Sequence, residues 1–157
     1  MKTLKLLIFV PALLLMNFTA GPGLTDAERK AAADHLNMTK DKLLTAVKGL
    51  STAQLNFKAT PESWSIAECV EHITIAENMI FGMAQGAMSE EADPSKRAEI
   101  KMTDDQIVGM ITDRTNKVKT QEPFEPKNTF GSYEGTLKEF KSKRSSNIDY
   151  VKKRTMI

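Results

Sequence analysis

A chain of 157 residues, 41% of them apolar and 27% charged, suits one packed domain and excludes a disordered or low-complexity segment as its main content. Its formal charge is +2, and the excess lies in Lys2 and Lys5 at the very start, so the remainder balances 20 basic against 20 acidic residues and nucleic-acid binding has no electrostatic basis. Cys69 is the single cysteine, which excludes an internal disulfide and leaves packing to hold the fold.

In chain order, Lys2 and Lys5 open a short basic start and Leu4 to Leu15 is an apolar run. Met16 to Gly23 is a small, polar exit containing Pro22. This order predicts a secretory signal peptide over 1–23, too short for a comfortable membrane span, followed by a domain over 24–157 of roughly 135 residues. The expected address is export to the periplasm or cell envelope of a bacterium, with no stable membrane span after cleavage.

Helical periodicity then runs nearly throughout. Thr25-Asp26-Ala27-Glu28 is a capping box, and Ala32, Leu36, Thr39, Leu43, Ala46, Val47 and Leu50 recur at three and four residues as one stripe. Ser51 to Gln54 reads as a short second capping box and Thr60 to Ser63 as a turn. Ser65 to Glu68 caps a long helix on which Ile66, Cys69, Val70, Ile73, Ala76, Ile80, Met83, Ala84 and Ala87 make a broad apolar face. At roughly 100° per residue that face centres on Cys69, Ile73, Ala76 and Ile80, with His72 on one flank and Glu77 on the other. Met88 to Arg97 reads as a solvated loop. Thr103 to Gln106 caps a helix with Ile107, Met110, Ile111 and Val118 as its apolar positions, ending before Pro123 and Pro126. Thr136 to Glu139 is expected to cap the last helix, with Leu137, Phe140, Ile148 and Val151 inside and the lysines at 138, 141, 143, 152 and 153 in water. No period-two strand and no repeat is present, so the fold class is all-α.

Chemistry is concentrated around His72. A catalytic metal centre needs three or four converging donors, and the chain has one other histidine, His35, on the edge of the first helix. Glu68 stands one turn before His72, where it can pair with the imidazole, and Glu77 flanks the same face. Cys69 reads as a buried, inert small apolar residue, and Trp64 as a packing anchor whose indole donates to a carbonyl. Met79, Met83 and Met88 read as core or pocket lining.

The Trp64-Ser65 pair leading into a helix, the Glu68-x-x-x-His72 spacing, and the later Asp113-Arg114 and Phe140-Lys141-Ser142-Lys143-Arg144 segments resemble the DinB/YfiT-like family, especially its exported bacterial members, over residues 25 to 152. The resemblance implies a four-helix bundle with a crossover connection. It also implies a divalent metal of the zinc or nickel class, held by one histidine of the second long helix and an H-x-x-x-H pair on a final helix. His72 matches the first ligand. The other two have no counterpart, so the expected domain is an incomplete bundle of three main helices plus a short one, truncated at its C-terminus. A length change in an adenine run at Lys152-Lys153 would account for such an end.

Two functions follow as expectations. One is an uncharacterised DinB-like domain of the bacterial cell envelope with at most a partial metal site. The other, if the H-x-x-x-H helix is restored, is a metal-dependent thiol S-transferase-like enzyme in which Glu68 or Glu77 orients His72. A face of Ile73, Ile80, Leu137, Phe140 and Ile148 left partly uncovered predicts a homodimer.

Overall fold

The computed structural model describes residues 25–153 except 92, 94, 95, 97, 98, 114, 116 and 117. The expected leader over 1–23, Arg114, parts of the loop expected over 88–97 and the last four residues lie outside the described residues. The elements are α1 (Asp26–Val47), α2 (Thr52–Asn56), α3 (Ile66–Ala87), α4 (Asp104–Thr112), a 3-10 turn (Glu122–Phe124) and α5 (Tyr133–Lys153). No strand occurs among the described residues, and the long helices α1, α3 and α5 form a helical bundle in which α5 packs against both of the others.

Local chemistry sets the helix starts. Thr25, Ser51, Ser65 and Thr103 each accept from the backbone N–H three residues on, while the side chain of Glu28, Gln54, Glu68 or Gln106 returns to the cap backbone. Two orphan donors are satisfied at each start, so the helices begin where the sequence puts the boxes. α5 is the exception: it begins at Tyr133, where the Ser132 hydroxyl accepts from Gly135 N at 3.0 Å, one turn before the expected cap. Gly135 is required there, because a Cβ would stand 2.5 Å from the Phe130 carbonyl oxygen. Thr136 is instead buried inside the first turn, its hydroxyl donating to Ser132 O at 2.9 Å.

The core consists of Ala33, Leu55, Val70, Ile75, Phe140 and Ile148, with Phe140 only 1% exposed. On α1 the buried alanine is Ala33 rather than the expected Ala32, because α5 approaches one residue further round the helix. α4 is shorter than expected: it stops at Thr112, buries no residue, and leaves Val118 outside any helix and 89% exposed. With Ile107, Val108, Met110 and Ile111 all open, this amphipathic segment does not contribute to the core.

The orientation of α3 departs most from its sequence pattern. Its buried residues are Val70, Glu71, Thr74 and Ile75, roughly 160° around the helix from the face centred on Cys69, Ile73, Ala76 and Ile80. Ile73 is 38% exposed, Ile80 56% and Met83 60%. The helix therefore buries a mixed face and leaves its most apolar one largely open.

Candidate functional site

Polar residues carry the packed side of α3. Glu77 receives a bidentate grip from Arg144 of α5, with Nε to Oε1 at 2.8 Å and Nη2 to Oε2 at 2.6 Å, and Asn147 Nδ2 donates to Oε1 at 2.7 Å. Arg144 Nη1 also donates to the Leu36 carbonyl at 2.9 Å and to Thr39 Oγ1 at 2.6 Å, which ties in α1. Both ion-pair side chains are only 10% exposed. Arg144 additionally lies 5.2 Å over the Phe140 ring. One guanidinium thus joins all three long helices, and Glu77 is committed to it rather than free to serve a metal or sit in water. Sequence reasoning missed Arg144 and Asn147. The available signal was that Arg144 lies four residues from both Phe140 and Ile148, on the apolar stripe itself, where a cation requires a buried partner.

On the other flank, His72 Nδ1 lies 2.8 Å from the Phe124 carbonyl oxygen, contributed by the 3-10 turn. A carbonyl can only accept, so Nδ1 carries the proton and, in the neutral ring, the Nε2 lone pair is bare. The Trp64 ring rests 5.0 Å from the imidazole, tilted by 49°. Trp64 makes no hydrogen bond to a carbonyl among the described residues; its role is to flank His72, and it is itself partly exposed.

His72 borders a groove of about 380 Å³ lined by Leu36 of α1 and by Ile73, Ala76, Glu77, Ile80, Phe81 and Ala84 of α3. Through Ile73 it adjoins a second apolar recess of about 560 Å³, bordered by Leu43 and Val47 of α1 and by Trp64, Ile66 and Cys69. The two form a trough between α1 and α3, with the imidazole on a largely apolar wall whose Glu77 is tied to Arg144.

The other expected participants lie elsewhere. Glu68 does not pair with His72: its Oε2 accepts from Ser65 N at 2.7 Å and its Oε1 from Lys58 Nζ at 2.7 Å. The Lys58 ammonium, with help from the Ser65 backbone, lowers the Glu68 pKa below its ordinary range. Cys69 is exposed on the trough rather than buried, yet desolvation by its apolar surroundings and the nearby Glu68 carboxylate raise its thiol pKa, so it is not an activated nucleophile. His35 is exposed on α1. Among the described residues no three His, Cys, Asp or Glu side chains converge. The residues present therefore do not fit a three-histidine ion site: His72 offers one donor, and the three acidic residues near it on α3 are all engaged, Glu68 by Lys58, Glu71 by the Lys127 and Thr129 amides, and Glu77 by Arg144.

Comparison with known proteins agrees with this architecture. The model of the DinB superfamily matches residues 35–155. A curated relative, the uncharacterized protein YuaE of Bacillus subtilis (strain 168), is 34% identical over 84 residues, which are 54% of this chain and 48% of the relative. The match thus spans about half the length of that relative. No solved structure matches. The family match covers most of the sequence, including the helices that bear His72, Glu77 and Arg144, and the chain belongs to the DinB superfamily.

Proposed function

We propose that this is a DinB-like domain of the bacterial cell envelope that offers His72 as a single nitrogen donor in an apolar trough and does no chemistry with it unaided. The hydrogen bond from Nδ1 to the Phe124 carbonyl carries this reading, because it leaves the Nε2 lone pair of a groove-lining histidine without a partner among the described residues. A lone imidazole binds divalent ions weakly, and stable coordination takes further donors. The envelope address rests on the basic, apolar and small-residue order of residues 1–23. No helix among the described residues is long and apolar enough to cross a membrane.

A second reading, a metal-dependent thiol S-transferase-like enzyme, is favoured by one observation: a histidine whose Nδ1–H is fixed by a carbonyl has the form that ligating histidines take. It requires two donors from beyond the described residues, on a further helix or another chain. Dialysis of the protein against zinc or nickel and then a weak chelator, followed by metal analysis, separates the readings. The first predicts no stoichiometric retention. One ion per chain, lost in His72→Ala, establishes the second.

The open side of α3 supports a homodimer in either case, though through a different face from the one expected: Ile73 and Ile80 are exposed, whereas Phe140 and Ile148 are buried in the core and take no part. The exposed apolar residues from Ile66 to Met83 extend over about 25 Å of helix. Two copies present the same ridge, as a twofold contact requires. Sedimentation at increasing concentration should show a monomer–dimer equilibrium that Ile80→Lys abolishes; a wild-type chain that stays monomeric at high micromolar concentration rules this contact out.

A further inference from the structure

We infer that Glu71 is the positioning residue of His72, acting through the segment between Phe124 and Thr129. The significance of this role rests on the reading of His72 as the donor of the trough, although the geometry stands apart from it. Glu71 is 7% exposed and immediately precedes His72 on α3. Its Oε1 accepts from Lys127 N at 3.0 Å and from Thr129 N at 2.6 Å. Asn128, between those donors, has φ +58°, and this left-handed residue turns the flanking N–H groups toward one oxygen, the concave arrangement by which backbone amides hold an anion. The same segment gives its Phe124 carbonyl to His72. Two adjacent side chains of α3 thus hold both ends of a short connection, Glu71 accepting and His72 donating. Pro126 stiffens the span between them and contributes no N–H of its own, and Pro123 fixes the backbone just before Phe124.

The consequence concerns the proton on the imidazole. Without a carboxylate in the amide concavity, the 127–129 backbone loses its anchor, the Phe124 carbonyl is no longer held against Nδ1, and the ring reverts toward the Nε2–H form that histidine prefers in water. The nitrogen that offers the lone pair then changes from Nε2 to Nδ1. Cys69 and Glu68 cannot substitute, since neither bonds this segment.

Long-range proton–nitrogen spectra of the metal-free protein, at one pH where the imidazole is neutral, read the tautomer directly. His35→Gln identifies the resonances of His72. The wild type should show the protonated, pyrrole-type nitrogen at Nδ1. Glu71→Ala should shift the pyrrole-type signal largely to Nε2, and Glu71→Gln, whose amide oxygen still accepts, should restore much of the wild-type pattern. Asn128→Val, at an exposed position where a β-branched residue resists the left-handed conformation, should reproduce the Glu71→Ala shift without touching α3. An unchanged tautomer in a folded Glu71→Ala, or in Asn128→Val should Glu71→Ala not fold, overturns the proposal. A wild type already in the Nε2–H form overturns it as well. Metal retention does not enter these spectra, so failure here and failure of the donor reading are separate results.

Discussion

The two faces of α3 are built on opposite principles. The side turned to α5 holds Val70, Thr74 and Ile75 together with buried Glu71 and the Glu77–Arg144 pair, every carboxylate on it matched by named donors. The side turned to the trough holds Ile73, Ala76, Ile80 and Met83, with His72 at its edge and much of it open. Hydrophobicity alone would bury the second face and expose the first. The polar face is inside because Arg144 and Asn147 of α5 supply partners to Glu77 and the Lys127 and Thr129 amides supply them to Glu71, and a desolvated carboxylate without them is far more costly than an exposed isoleucine. Specific pairing orients this helix, and the apolar face is left open.

Breaking the polar face should therefore cost most. Arg144→Met strands the Glu77 carboxylate between helices and should lower unfolding free energy by about 3–5 kcal/mol, as read by urea denaturation. Phe140→Ala, at the centre of the same contact, falls in a similar range of about 3–5 kcal/mol through the cavity it leaves. Removing a helix start is milder: Ser65→Ala, which ends the reciprocal capping of α3, should cost about 1 kcal/mol. Ile80→Ser on the open face should stay within about 0.5 kcal/mol, the range of surface substitutions, and a loss as large as that of Arg144→Met would erase the contrast between the faces.

The smallest effect is in acid. Lys58 holds the folded pKa of Glu68 below its ordinary value of 4.5. A depressed carboxylate stabilises the fold fully above its unfolded pKa and loses that contribution as pH falls through the folded value. Melting temperatures of wild type and Lys58→Met should therefore differ slightly above pH 5 and converge as the pH is lowered below 4. A gap that widens on acidification contradicts the assignment.

Much of the fold was legible in the sequence because its signals are local. Four capping boxes mark helix starts, and Val70, Phe140 and Ile148 read as members of apolar stripes from periodicity alone and are buried. The start of α5 was misplaced because Thr136 to Glu139 imitates a box, while the operative cap, Ser132, precedes a glycine chosen for its approach to Phe130. The candidate site was legible in part. His72 stood out by residue type, but its partner is a backbone carbonyl 52 positions away, which leaves no mark in side-chain spacing. Glu71 and Arg144 were overlooked because periodic patterns count charges as wet, and only tertiary pairing brings them inside. Glu68 was paired with His72 by spacing along one helix, whereas Lys58 from the preceding loop claims it; Cys69 was expected inside because it lies on the apolar stripe, and the open trough exposes it.

Cysteine accessibility tests the central claim, that α3 keeps its apolar face open and its polar face closed, most directly. In a Cys69→Ser background at dilute protein concentration, Ile80→Cys and Thr74→Cys are each exposed to a maleimide without denaturant. The predicted result is rapid labelling at position 80, where the side chain borders the trough, and labelling at position 74, fully buried against α5, only at the rate of unfolding. Protection at 80 with ready labelling at 74 would mean that α3 packs through its apolar face after all, and would contradict the account.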